Sequence, residues 1–258
     1  MRRPLSPAAR LALPLAAAVA ALGLWWGAVA ASGTEVFPSP LEVARGIGEL
    51  AERGVLGPYV LDSLRRVGAG YLLALAAGLP LGLLLGFSPL AARMLEPVIQ
   101  FLRPISPLAW IPVAVVLFGI TDGAAVFLIF LASIFPVAVA TRTGVQGVPE
   151  MALRAGRNFG LGPVALACRV VVPAALPQIL GGLRIALGIA WLVVVAAEMI
   201  AVNSGLGYLI IDARNAGKRY DLVVAAMLLI GVIGLALDLL ARRIERLRAV
   251  RWGFSQDS

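Results

Sequence analysis

The chain has 258 residues, 60% of them apolar and 14% charged, and its mean hydropathy of +0.94 belongs to a polytopic membrane protein, not to a soluble domain. A formal net charge of +8 does not mark a nucleic-acid binder here, because the arginines are spread between apolar segments without interleaved aromatics. One cysteine, Cys168, and no histidine exclude an intrachain disulfide, a thiol pair and a Cys/His zinc cluster.

Residues 1–10 are basic, and Leu11 to Ala31 is apolar for long enough to cross a hydrocarbon core about 30 Å thick. The run ends in Ala28-Val29-Ala30-Ala31, which would also suit signal cleavage, but its length favours a retained span. Ser32 to Arg66 reads as an outer connector containing an amphipathic stretch, Leu41 to Arg53. Val67 to Phe87 is the second span, with Gly78, Gly82 and Gly86 forming a small-residue ridge that lets another helix approach. Pro104 to Ile120 is the third span, kinked by its prolines, with Arg103 at its inner boundary. Thr121-Asp122-Gly123 turns the chain into a fourth span, Ala124 to Thr141. Ile185 to Val202 and Leu222 to Ala241 are the fifth and sixth. The acids Glu198 and Asp238, near the ends of the last two, read as interhelical or interfacial hydrogen-bonding groups, with a substrate or proton site as the alternative. Most of the basic residues then fall on the side of the N-terminus, which the positive-inside rule places in the cytoplasm with the C-terminus.

Between the fourth and fifth spans lies the most informative stretch, residues 150–184. Glu150 suits a helix N-terminus, so Met151 to Phe159 is a short helix closed by Gly160. Gly162-Pro163 restarts the chain, and Pro163 to Val172 is a second arm that Pro173 ends. On the first arm Met151, Ala155 and Phe159 share one face while Arg154 and Arg157 occupy another. This helix-turn-helix is open to two readings, an ordinary surface helix at headgroup level and a face that grips a neighbour. No Gly-x-x-x-x-Gly-Lys-Ser/Thr occurs, and the only lysine, Lys218, falls in an outer loop, so the chain has no phosphate-cradling loop of its own. An intramembrane enzyme has neither histidine nor a nucleophile-base pair to work with.

Gly160, the nine residues from Leu161 to Arg169, Val170 and Pro173 carry a resemblance to the EAA loop of ABC importer permeases. The pattern's opening Glu-Ala-Ala falls on Arg154-Ala155-Gly156, so the usual acid is basic here. The runs at 104–120 and 182–200, Gly205-Leu206-Gly207-Tyr208, Asp238 and Arg251-Trp252 resemble the nitrate, sulfonate and taurine class of these permeases, over about residues 60–252. The resemblance implies an all-α fold of about six transmembrane helices in the bacterial inner membrane. Taken with the segments read above, it divides the chain into an N-terminal cytoplasmic tail and first transmembrane helix over 1–31, an outer connector over 32–66, a permease domain over 67–252 holding the 150–184 loop, and a tail over 253–258. It also implies that Arg154, Ala155, Gly156, Arg157, Asn158, Phe159, Gly160 and Leu161 form the coupling helix that docks on an ATPase, with Gly162, Pro163, Pro173 and Pro177 setting its geometry. Two ATPase copies would bind ATP and magnesium, this chain binding no cofactor. A periplasmic or lipid-anchored binding protein would deliver solute, and a second permease copy would complete a homodimer in the bilayer. Trp110, Trp191 and Glu198 are the candidate pathway residues, although helix packing explains both tryptophans as well. An ion-coupled secondary transporter and a non-transporting scaffold are the rival classes.

Overall fold

A computed structural model describes residues 7–33 and 37–245. The basic residues 1–6 and the closing Arg251-Trp252 lie outside them. The described residues contain no strand, and the helices run in order as α1 (Pro7–Ser32), α2 (Pro40–Glu52), α3 (Leu56–Phe87), α4 (Pro89–Leu102), α5 (Ile111–Phe118), α6 (Asp122–Gln146), α7 (Glu150–Asn158), α8 (Pro163–Leu166), α9 (Val172–Ile200), α10 (Leu206–Asn215) and α11 (Tyr220–Glu245). Among the described residues five stretches are long and apolar enough to cross a membrane, and one bent helix pair makes a sixth if it is counted as one span. The chain divides into two compact units, Met1–Gly57 with Leu209–Leu229 and Pro58–Tyr208 with Ile230–Ser258.

In the first unit, α1 leaves its apolar surface uncovered: none of the window Leu15–Ser32 is buried. α2 starts on a capping box, in which the Ser39 hydroxyl accepts from the Glu42 amide and Glu42 accepts from the Ser39 amide at 2.6 Å, so two otherwise orphaned N–H groups are satisfied. Its Val43, Gly46 and Leu50 are buried, with Gly46 lying against Leu222 and Asp221. Arg219 fastens the same face by donating to Glu49 at 2.6 Å and to Asp221 at 2.7 Å.

In the second unit, α3, α6 and α9 come close because glycines replace side chains where the helices touch. A Cβ on Gly70 would lie 2.7 Å from Ile129, on Gly78 2.8 Å from Val137, on Gly82 2.5 Å from the Ala138 carbonyl, and on Gly86 2.7 Å from Val145. The ridge expected on the second span is thus used against α6 of the same chain and does not speak for a dimer. α6 and α9 approach likewise, Gly144 against Ala175 and Gly182 against Ala140.

Three boundaries differ from the sequence expectation. α3 begins at Leu56, so residues 56–66 belong to the second span and not to the connector; Arg66, whose charge suggests a loop, is neutralised inside the unit. The third span is broken: α4 and the segment Pro107–Phe118 meet at 83°. A 3₁₀ turn over Pro107–Trp110 followed by the eight-residue α5 rises only about 20 Å, short of a bilayer core on its own. Pro173 does not end the second arm. The helix continues from Pro163 to Ile200 through a π-turn over Ala167–Val171, where the Val172 amide bonds to the Ala167 carbonyl. Pro173 directly follows that turn, so its missing N–H falls where the hydrogen-bond register changes.

The glycine contacts make a graded prediction. Gly82→Leu should destabilise the chain in detergent by at least about 1–3 kcal/mol, since the obstructing atom is backbone. Gly68→Ala, on the same helix with nothing within 4 Å of the added carbon, should be neutral or stabilising; equal thermal shifts for the two variants would refute the packing account. A second prediction concerns acid. Bonds from the Ser39 amide and hydroxyl hold the Glu42 carboxyl below its ordinary 4.5, and the bond from Arg219 does the same to Glu49. A depressed carboxylate stabilises the fold above its unfolded value and loses that contribution as pH falls through the folded one. The drop in melting temperature between about pH 7 and about pH 3.5 should therefore be smaller in Glu42→Gln/Glu49→Gln than in the natural chain.

Candidate functional site

The second unit carries its two distinctive features at opposite ends of the antiparallel pair α6 and α9. The connection from Gln146 to Val172 holds the 150–161 stretch at one end. Asp122, at the start of α6, and Glu198, near the finish of α9, mark the other.

α7 is a nine-residue helix whose first turn carries Glu150, which receives Arg154 at 2.8 Å one turn on. The acid of this loop is therefore Glu150, paired within the helix to Arg154. Gly160 ends the helix with φ +76°. Its amide donates to the Arg157 carbonyl at 2.9 Å and the Leu161 amide to the Gly156 carbonyl at 3.2 Å, the two bonds of a Schellman motif. A side chain at Gly160 would meet nothing within 4 Å, so glycine is needed there for its backbone angle alone. Gly156 serves packing: a Cβ would lie 2.5 Å from Leu166 and 3.3 Å from Val170, which places the second arm directly against the first. Gly162 has an ordinary extended angle and lets Pro163 open the second arm, the Leu166 amide closing on its carbonyl at 2.8 Å.

Ala152 and Leu153 pack into the core formed by Val145, Val148, Val171, Ala175 and Ile179. The outward face is apolar all the same, with Met151 82%, Phe159 86% and Val164 77% exposed. Ala155, Arg154, Arg157 and Asn158 are exposed with them, and Leu161 is half-buried. Large apolar groups held open on a braced helix and bordered by arginines have the composition of a protein-binding face.

At the other end Arg66, 3% exposed, and Glu198, fully buried, form an ion pair at 2.8 Å. The guanidinium also donates to Asp122 at 2.8 Å and to the Ser204 carbonyl at 2.8 Å. The second Glu198 oxygen accepts from the Ser63 hydroxyl and the Gly207 amide, each at 2.9 Å, and Ser63 accepts from the Leu206 amide at 3.0 Å. Gly205, at φ +100°, and Gly207 are required by this wrapping, because a side chain at Gly205 would strike the Glu198 carboxylate and one at Gly207 the Val195 carbonyl.

Two of the candidate pathway residues are engaged inside the protein. Glu198 has both oxygens occupied inside the protein and is an interhelical hydrogen-bonding acid, not an open site. Trp191, 6% exposed, donates to the Ile230 carbonyl at 3.1 Å and lies against Gly234, so it packs α9 on α11. Trp110 closes the 3₁₀ turn, half-buried. Pro177 lies within α9, a few residues past the π-turn. Sequence reasoning does not find Ser63, Arg66, Asp122 or Ser204. The signal for Arg66 is the unbroken helical run from Leu56, together with the need of a buried Glu198 for a counter-ion.

The family model described as "Binding-protein-dependent transport system inner membrane component" matches residues 78–250. A probable ABC transporter permease protein of Brucella melitensis is 41% identical over 229 residues, 88% of this chain and 92% of the relative. The nitrate import permease protein NrtB of Synechococcus elongatus is 35% identical over 238 residues, 88% of this chain and 85% of its own. The bicarbonate transport system permease protein CmpB of Synechocystis is 39% identical over 179 residues, 69% of this chain and 64% of its own. Among solved structures, an inward-facing MetNI methionine ABC transporter superposes with a TM-score of 0.65 at 20% identity, over 74% of this chain and 95% of that one, a likeness of fold.

Replacing Glu198 by alanine should destabilise the chain by about 3–5 kcal/mol, because it strands a buried guanidinium. Arg66→Met/Glu198→Leu should lose clearly less than the two single changes added together. Denaturation in detergent measures both, and a cost under about 1 kcal/mol for Glu198→Ala would contradict a buried pair.

Proposed function

The chain belongs to the family of binding-protein-dependent transport system inner membrane components, and from that premise we propose that this permease subunit of an ABC importer forms the path of a small anion and is driven by ATP hydrolysis on a separate subunit. The observation that carries the coupling is the exposed Met151, Phe159 and Val164 face on a helix closed by Gly160 and braced by Gly156. Arg154 to Leu161 is the ATPase contact, and the Glu150–Arg154 pair replaces the acid of the EAA pattern. Pro163, Pro173 and Pro177 govern how the second arm joins α9. ATP and magnesium belong to two ATPase copies, and this chain holds no cofactor. A second copy of the chain completes the pathway, with α1 free to face it or lipid. A binding protein on the far side delivers solute, and the loop and both termini face the cytoplasm of a bacterial inner membrane.

The names of the nitrate and bicarbonate relatives support a small oxyanion, and the class resemblance adds sulfonates such as taurine. Trp110 and the proline-rich 104–112 segment remain the pathway candidates from the sequence. An ion-coupled transporter would need ionisable groups open at mid-membrane, and the buried Arg66 and Glu198 are spent on each other.

The docking face is tested with the tagged chain and its co-expressed ATPase. Phe159→Asp should leave the chain in the membrane at natural levels, weaken recovery of the ATPase by at least about 30-fold and abolish uptake, as for loss of an exposed aromatic anchor. Gly160→Asn, which tolerates a left-handed angle, should keep most of the coupling, and Gly160→Val should not. Unchanged recovery and uptake in Phe159→Asp would overturn the proposal.

A further inference from the structure

A cleft of about 570 Å³ lies on the second unit, at the end of α6 and α9 that carries the 150–161 loop. Its polar lining is Arg103, Thr143, Gln178, Arg184 and Glu245, and Gly181 and Gly182 contribute bare backbone; the rest is aliphatic or proline. The charges are not balanced. Arg184 is bound to Glu245 at 2.9 Å and to Asp238 at 3.3 Å, and Glu96, the acid of α4, is bound to Arg142 at 2.7 Å. Arg103, exposed at the end of α4, has no carboxylate partner among the described residues.

Gly181 is a second and separate observation. It sits inside α9, where glycine is unfavourable relative to alanine. The neighbouring Gly182 is explained by Ala140 pressing on it, but a Cβ on Gly181 would meet nothing within 4 Å, and its backbone angle is an ordinary one. No turn and no helix contact calls for glycine at this position; an unobstructed floor to the cleft does.

We infer that this cleft binds a small, singly charged oxyanion through the Arg103 guanidinium, with the Thr143 hydroxyl and Gln178 amide as neutral donors, as the anion passes the loop end of the permease. The inference rests on the reading of the chain as an anion importer. A planar guanidinium matches two oxygens of a planar oxyanion at once. One uncompensated cation balances one negative charge, and Glu245 on the same wall disfavours a second, so nitrate is preferred over sulfate. The cleft is far wider than such an ion, which gives a weak, transient site suited to passage.

The test uses membranes containing the complete importer, with Cys168→Ser and a single thiol from Ile185→Cys, a cleft residue 62% exposed. Its modification rate is measured with an anionic sulfonate and a cationic trimethylammonium methanethiosulfonate. Arg103→Gln should lower the anionic-to-cationic rate ratio by about tenfold, Arg103→Lys by less. Millimolar nitrate should slow the anionic reagent with Arg103 present, and sulfate at equal ionic strength should not. Gly181→Leu should slow both reagents alike and reduce uptake without lowering the amount of chain in the membrane. An unchanged ratio in Arg103→Gln, or equal protection by sulfate, overturns the inference. So does nitrate protection that appears only in nanodiscs lacking anionic lipid, because Arg103 would then be a headgroup contact. The thiol rates need no ATP, so absence of uptake by the natural chain, with the Arg103-dependent rate ratio and nitrate protection both present, would count against the importer reading and not against the cleft.

Discussion

A carboxylate and a guanidinium removed from water inside an apolar unit are tolerated only when each polar atom finds a partner. Arg66 and Glu198 meet that condition through groups drawn from several elements: Ser63 on α3, Asp122 at the start of α6, Ser204 in the turn after α9, and Gly207 at the start of α10. Desolvation makes the arrangement nearly all-or-none, since losing any one partner leaves charge or lone pairs exposed to a low dielectric. The relative placement of α3, α6 and α9 at this end follows from it. Their glycine-lined contacts extend the same placement along their length.

Helices so joined cannot slide independently, and the loop at the far end is joined to them as firmly. Ala152 and Leu153 share a core with Val145, Val171 and Ala175, and the second arm runs without interruption into α9. A displacement applied at the exposed Phe159 therefore reaches α9 through packed side chains and continuous helix. The π-turn over Ala167–Val171 is an irregular point within the second arm's continuous helix. Nearby, the 83° break between α4 and Pro107–Phe118 is permissible at membrane depth because irregular backbone can be covered by protein or line a polar cleft.

Much of the 150–161 loop is legible in the amino-acid sequence. The glycine at 160, the proline at 163 and the amphipathic first arm specify local conformation through backbone angle and helix period, which depend only on nearby residues. The Gly78, Gly82 and Gly86 ridge is equally visible as a packing device. What it packs against is not, because spacing defines a face and not its partner, and the face is consumed by α6. Gly205 and Gly207 are recognisable as a motif, while their reason, a carboxylate on the preceding helix, emerges only with the turn folded around it. Arg66 reads as a boundary because a basic residue near an apolar run ordinarily marks an interface, and only a distant acid makes it an interior one. Pro173 reads as a stop because proline ends most helices; a local change of hydrogen-bond register lets this one continue.

The sequence by itself determined that this is a helical membrane chain, roughly where it crosses, and that one glycine-closed helical hairpin interrupts the apolar pattern. Those properties follow from length, hydropathy and near-neighbour sterics. Only the tertiary structure decided which acid is buried and satisfied, which tryptophan packs and which arginine stays uncompensated in a cleft. The energy of a polar or aromatic group depends on the groups brought to it from elsewhere in the chain, and that information is three-dimensional.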